Sequence, residues 1–341
     1  MDRTDHAQRA ALARRVVSLA RLAPSVHNTQ PWQFYAEGDT VELWADRERA
    51  LPVLDPDSRQ LHHSCGAALL HARLAARGAG RECRVQLLPD PLHPDHLATL
   101  VLGGPAAPDP EEERLRAAVL RRHTARAPFD PAPLPDTVRT ELTEAAAAEG
   151  VTLHCVADAD RPALAVLLQH VDAAQAADPA YRRELRRWVR RDEGAADGVP
   201  ALAAAEVDRA GRAVELALRD FGVELPAPRA GGEPPAGEPA GGEPAPPERP
   251  LLGVLVTEGD GPAEWLAAGQ ALARVLLAGA ARGVAASPLG QLVDTGSARA
   301  ALRRELRLVG HPQVVLRLGR GHGTGAPRRE VEDLLVVSER G

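Results

Sequence analysis

The segment Ala23-Pro24-Ser25-Val26-His27-Asn28-Thr29-Gln30-Pro31-Trp32-Gln33-Phe34 restricts the fold of this chain more than any other. A proline near each end fixes backbone φ and bars a helix from running through. Between them stand Ser, His, Asn, Thr and Gln, a dense set of neutral donors and acceptors. Residues 5–22 before it carry Ala11, Leu12, Val16, Leu19 and Ala20 at helical spacing. Trp32, Phe34 and Tyr35 read as the start of a half-buried strand. A rigid polar loop held between a helix and a strand suits hydrogen bonding to a polar heteroaromatic ligand.

Composition sharpens this. The chain has no Lys and no Ile, so all 41 of its Lys+Arg positions are Arg, and Asn28 is its only Asn. A single retained Asn suits either a left-handed turn or a ligand contact. Three of the few aromatic residues (four Trp, two Tyr, three Phe) fall within 32–35, which favours a binding loop.

The loop APSVHNTQPWQF resembles the flavin-binding loop of the nitroreductase superfamily, and its His-Asn-Thr-Gln-Pro-Trp wording resembles the actinobacterial, dormancy-associated Acg branch. The resemblance implies an α+β, nitroreductase-like fold, FMN as cofactor, and Pro24, Ser25, His27, Asn28 and Gln30 as contacts to it. The segment RHTARAPF (122–129) resembles the family's phosphate-holding Arg-x-Ser/Thr-x-Arg run, which points to Arg122, His123, Thr124 and Arg126. Arg forks bind phosphate oxygens bidentately; the bland alternative is a solvated helix end. GVAASPLGQ (283–291) resembles the loop at the isoalloxazine edge and implies Ser287, Pro288 and Leu289. The tail RLGRGHGTGAPRRE (317–330) ends in Arg328 and Arg329, placed like late basic residues that meet the phosphate. Its GRGHGTG cannot open a dinucleotide-binding βαβ unit, because too few residues come after it.

With 341 residues the chain has room for two domain-sized units. A hydrophobic content of 44% and a charged content of 26% are those of an ordinary globular protein. A net charge of −6 argues against a general nucleic-acid binder. Cys65, Cys83 and Cys155 are odd in number and irregular in spacing, which indicates no disulfide framework and a reducing, cytoplasmic setting. The charged N-terminus lacks an apolar signal core, and no apolar run reaches membrane-spanning length.

Strands are expected near 40–44, 84–88, 97–102, 151–157, 251–257 and 314–318. Helices are expected near 64–77, 136–148, 161–177, 180–191, 201–221, 264–282 and 297–307. Residues 103–113 read as a linker. The tract 226–250 holds nine Pro, five Gly and no large apolar residue, so it reads as a disordered insertion. A faint repeat aligns 66–80 with 269–283 without gaps, pairing Gly66 with Gly269, Leu74 with Leu277 and Gly80 with Gly283. Each copy is expected to continue into a helix and then a strand ending Leu-x-Leu-Gly.

The first half carries the Pro-Ser loop without an Arg run, and the second carries the Arg run without that loop. This resembles a dimer fused into one chain: a first half at 1–104 and a second at 105–341, forming an intramolecular pseudo-dimer with one FMN site. The expected function is transfer of electrons from NAD(P)H through flavin N5 to a nitro compound or quinone. The alternative is an FMN-sequestering protein with a lidded site. A small molecule or none, rather than nucleic acid or membrane, is the expected partner, with one chain as the functional unit. His62, His63 and Cys65 suggest zinc, but no second ligand pair is present downstream, and a helix start suits them better. Six arginines in YRRELRRWVRRDE (181–193) form a broad helical face, solvated or serving as a lid.

Overall fold

The computed structural model describes residues 3–107, 109–192, 194–201, 203–204, 216, 219, 221, 248–323 and 325–338. Helix α1 (Arg3–Ala20) stops before Pro24, and the polar loop turns the chain into an antiparallel hairpin, β1 (Trp32–Glu37) and β2 (Thr40–Ala45). Gly38, at φ 57°, supplies the left-handed turn between them. Helix α2 (Arg59–Gly78) comes next, then the antiparallel pair β3 (Arg81–Leu87) and β4 (His96–Pro105).

Helix α3 (Pro110–Ala118) starts where Asp109 accepts from the amides of Glu111 and Glu112, with Pro110 in the first turn. Beyond it lie α4 (Asp136–Ala147), β5 (Thr152–Cys155), α5 (Arg161–Ala177), α6 (Pro179–Arg187) and the parallel pair β6 (Val189–Arg190) and β7 (Val199–Pro200). The chain closes with β8 (Leu251–Thr257), α7 (Pro262–Ala281), β9 (Val284–Pro288), α8 (Gln291–Asp294), α9 (Gly296–Glu305), β10 (His311–Arg320) and β11 (Leu335–Val337).

Helices and two main sheets make an α+β architecture. One sheet runs β11-β1-β2-β4-β3 and the other β5-β8-β10-β9. The run β1-β2-β4-β3 and the run β5-β8-β10-β9 have the same connectivity: a pair of strands, a 20-residue helix (α2 or α7), then a strand on the far edge and one between. β11 adds itself in parallel to β1, so the C-terminal tail completes the first sheet.

Helices α2 and α7 cross at glycines. A Cβ on Gly66 would meet the carbonyl oxygen of Leu266 at 2.3 Å, and one on Gly269 would meet that of His63 at 2.1 Å. Both α2 and α7 are succeeded by a left-handed glycine, Gly80 and Gly283. The main core packs these helices with Trp32, Phe34, Leu43, Leu100, Leu316 and Leu318. A second core covers the other face of β8: Leu252, Val254 and Val256 pack with Leu164, Leu168, Leu185 and Leu302. β8 is therefore apolar on both faces, which explains its unbroken LLGVLV run.

Several expectations are corrected. The 180–191 helix ends at Arg187, because Val189–Arg190 pairs with Val199–Pro200 and Arg190 is held by Asp197 at 2.8 Å. The first repeat copy continues into β3 and β4 with no helix between them, since Pro91 and Pro94 stand in the connection. The 103–113 linker is shorter: β4 reaches Pro105 and α3 begins at Pro110. The insertion boundary also moves. Glu248 is buried, pairs with the fully buried Arg317 and accepts from the amide of Phe129 at 2.8 Å, so it belongs to the fold. Most of the helix expected at 201–221, and residues 226–247 of the tract, lie outside the described residues. Among the described residues, no helix is long and apolar enough to cross a membrane.

Candidate functional site

The polar loop is backbone-unusual. His27, Asn28 and Gln30 stand at φ 48°, 56° and 51°, a region most residues avoid. Such outliers persist when their surroundings hold them, and they mark functional loops. Here the amide of Gln30 donates to Ser25 Oγ at 3.0 Å, and Ser64 Oγ accepts from the amide of Val26 at 3.2 Å. Trp32 and Phe34 are fully buried in the core and anchor the loop rather than facing a ligand.

The Arg run reaches the loop through β9. The amide of Ala125 donates to Ala286 O at 2.9 Å and Thr124 forms a parallel bridge to Ala286, which lays 122–126 alongside Ser287 and Pro288. The result is a cavity of about 210 Å³ lined by Pro24, Ser25, His27, Asn28, Arg122, His123, Thr124, Arg126, Ser287, Pro288 and Arg328. Four segments far apart in sequence thus meet at one place.

Two of those cations lack a counter-charge among the described residues. Arg122 is 6% exposed and, among the described residues, makes one long contact, to Leu22 O at 3.5 Å, while its Nε has no partner there. Burial pulls its pKa down to about 10. Arg328 is pulled down to about 9 by burial and then by Arg122 and Arg21. It donates to Asn28 Oδ1 at 2.8 Å and to the carbonyls of Ala326 and Pro327, and its Nε is also unpartnered. Neither arginine forms an ion pair among the described residues. Asn28 spends its amide on Gly198 O (3.1 Å) and Pro327 O (3.0 Å), so it orients Arg328 and ties the loop to residue 198.

Two imidazoles complete the lining. Burial, then Arg219 and Arg126, hold the His27 pKa well below its usual value. Burial, then Arg59, does the same for His63. Both rings are neutral at pH 7, and each has an Nε2 without a partner among the described residues. Paired guanidiniums, hydroxyls and neutral imidazoles make a donor set suited to a phosphate attached to a hydrogen-bonding ring.

Three expected residues stand elsewhere. Gln30 is fully buried, and its carboxamide joins Arg329 N (2.8 Å) to Ala196 O (2.9 Å) as a brace. Leu289 packs in the second core. Arg329 turns toward Asp46 and the carbonyl of Gln30. Other lining residues lie outside the sequence motifs. Gln60, His63 and Ser64 come from one face of α2, Leu272 and Leu276 from α7, and Val199, Arg219 and Phe221 from the insertion between β5 and β8. The i, i+3, i+4 spacing of 60, 63 and 64 is a signal the sequence does carry; Arg219 and Phe221 carry none. His62 and Cys65 are bound into α2, to Ser58 O and Pro31 O, and no group of three metal-ligating side chains occurs among the described residues.

The register that pairs Gly66 with Gly269 also pairs the cavity residue Leu276 with Arg73. Arg73 and Arg274 both grip Glu149, at 2.6 and 2.7 Å, and Gln270 joins at 2.8 Å. Glu149, 6% exposed at its side chain, lies just before β5, as the polar loop lies just before β1. Arg73, Glu149 and Arg274 thus form a closed ion triad.

No family model matches the chain. It is 32% identical over 330 residues to Acg of Mycobacterium tuberculosis, provisionally assigned as an NAD(P)H nitroreductase, covering 94% of each chain. It is 34% identical over 318 residues to a second protein of that organism with the same provisional assignment, Rv3131, covering 92% of this chain and 86% of the relative. Among solved structures it is similar, at TM-score 0.38 and 18% identity, to the FMN and NADPH-dependent nitroreductase NfnB of Sphigopyxis sp., covering 67% of this chain and 99% of that one.

Proposed function

Because the chain belongs to the nitroreductase superfamily, in its Acg-like group, we propose that it holds FMN in this cavity and passes electrons from NAD(P)H to a nitro compound or quinone. The observation that carries this reading is the pair of buried arginines without counter-charge among the described residues, Arg122 and Arg328, in a cavity whose lining also offers hydroxyls and neutral imidazoles. When bound, FMN supplies the ring that accepts a hydride and releases its electrons.

The chain's own residues do the rest. Arg122 and Arg328 bind the phosphate, and Asn28 holds Arg328 toward it. Ser25 Oγ accepts from the Gln30 amide, which leaves its own proton free to donate. Thr124 and Ser287 offer further hydroxyls. His27 and His63 donate or accept at Nε2 without adding charge beside the ring. Val199 and Phe221 keep water out.

In this reading the chain is two related halves, 1–104 and 105–341, with one site between them. The shared strand connectivity and the reciprocal glycine contacts of α2 and α7 support it, since a twofold interface pairs equivalent residues with each other. The Arg73–Glu149–Arg274 triad supports a single site. One chain is then the working unit and a small molecule its partner. Free Cys65, Cys83 and Cys155 suit a reducing cytoplasm.

A second reading, FMN storage under a lid, has its own support. Arg219 is fastened to Asp294 and Tyr181, Phe221 packs against His27 in a T-shaped pair with ring centroids 5.7 Å apart, and Asn28 and Gln30 donate to residues 198 and 196. At about 210 Å³ the cavity is small beside the ~300–1,000 Å³ usual for ligand sites. The test is a visible spectrum and then anaerobic NADPH. A yellow protein that bleaches and recovers with a quinone is the expected result. A yellow protein that stays yellow would favour storage, and one that never takes up FMN would remove both readings.

A further inference from the structure

A second opening adjoins the cavity. It is a groove of about 790 Å³ that shares Arg122, His123, Leu276 and Ala286 with it. The shared wall includes buried Arg122, whose Nε lacks a partner among the described residues. Beyond that wall the groove changes character. Arg121, Arg320 and His322 stand exposed along it, and neither arginine has an ion pair among the described residues. Ala280, Val284 and Leu318 give it an apolar floor, and Asp130 is the acidic side chain among its described lining residues.

We propose that this groove receives the adenosine diphosphate portion of a dinucleotide, an inference that rests on the flavin phosphate lying at Arg122. A mononucleotide ends at its phosphate and needs no cations beyond it. A pyrophosphate carries its charge further, to where Arg121, Arg320 and His322 stand. The apolar floor suits the flat face of adenine, and the Asp130 carboxylate accepts from ribose hydroxyls. The volume lies within the usual range for such a ligand portion. Two molecules carry this moiety: the flavin itself as FAD, and the donor NAD(P)H.

The experiment measures affinities of riboflavin, FMN and FAD for the flavin-free protein, and of NADPH for the FMN-loaded protein, by fluorescence. It uses the natural chain, Arg320→Glu and, as a second exposed variant, Arg121→Glu. One charge-assisted phosphate contact is worth roughly ten- to a hundredfold in affinity. The expected result is a loss of about that size for FAD or for NADPH, with FMN changed by less than about threefold. Loss confined to FAD identifies the flavin tail as the occupant, and loss confined to NADPH identifies the donor. The proposal is overturned if both variants leave FAD and NADPH unchanged, or weaken FMN as much as either. If the natural chain binds no FMN, the cavity reading itself fails, an outcome distinct from FMN binding with an indifferent groove.

Discussion

Arg122 and Arg328 are costly to leave without a counter-charge, since a buried ion loses several kcal/mol of hydration that only an anion or strong acceptors can offset. With pKa values of about 10 and about 9 they remain charged at neutral pH, so the cavity is electrostatically prepared for an anion. Arg122→Ala is expected to weaken FMN by roughly ten- to a hundredfold and riboflavin far less, measured by titration of the flavin-free protein. Equal losses would show that Arg122 does not meet the phosphate. The nearby His71 gives a pH prediction. Burial, then Arg122, drives its pKa to about 3, so the folded chain stays unprotonated where the unfolded chain binds a proton. Stability is therefore fully present above pH ~6.5 and falls toward pH 3, by up to about 1.4 kcal/mol per pH unit from this residue. His71→Gln should flatten that slope in urea midpoints taken between pH 7 and pH 5; an unchanged slope would contradict the assignment. At this scale the sequence was most legible where residue choice is chemically unusual, as at the lone Asn28 or the all-Arg cations. It was least legible where a residue bonds far from its neighbours. Gln30 looks like a ligand contact and serves as a brace, while Arg219 looks ordinary and reaches the cavity.

Between elements, the crossing of α2 and α7 sets the spacing of everything else. Each helix presents a glycine to a backbone carbonyl of the other, so a methyl group at either position would have to push the same two helices apart. Gly66→Ala and Gly269→Ala are each expected to destabilise by about 1–3 kcal/mol. The double variant should cost less than the sum, because one displacement relieves both clashes. Denaturant midpoints of the two single variants and the double decide this; strict additivity would mean the contacts are independent. The repeat in the sequence places these two helices in the right register, because the close crossing demands glycine and small residues at equivalent positions. It does not reveal the segments that connect each helix to its next strand. Connections are set by local turn chemistry and by distant partners, as Pro91 and Pro94 show in one half and the β6–β7 pairing in the other.

For the whole molecule, the proposed site draws on two sheets whose main runs share one strand connectivity. The runs β1-β2-β4-β3 and β5-β8-β10-β9 have the same connectivity, but the polar loop leads into the first, and the Arg run lies along β9 of the second. In the proposed two-half arrangement, the closed triad of Arg73, Glu149 and Arg274 stands where a second cavity would lie. The proposal that two halves complement each other rests on which motif each one lacks, and that much was readable in the sequence. The triad was not, because Arg73, Glu149 and Arg274 are ordinary residues whose meaning comes from contacts across 76 and 125 positions of sequence. The most direct test is the ratio of flavin to polypeptide. Protein saturated with FMN, freed of excess and denatured, should release one flavin per 341-residue chain at every protein concentration, including those where it is monomeric. Arg122→Ala should reduce that ratio toward zero in the same preparation. Two flavins per chain, one shared by two chains, or none in the unaltered protein would contradict a single site completed within one chain.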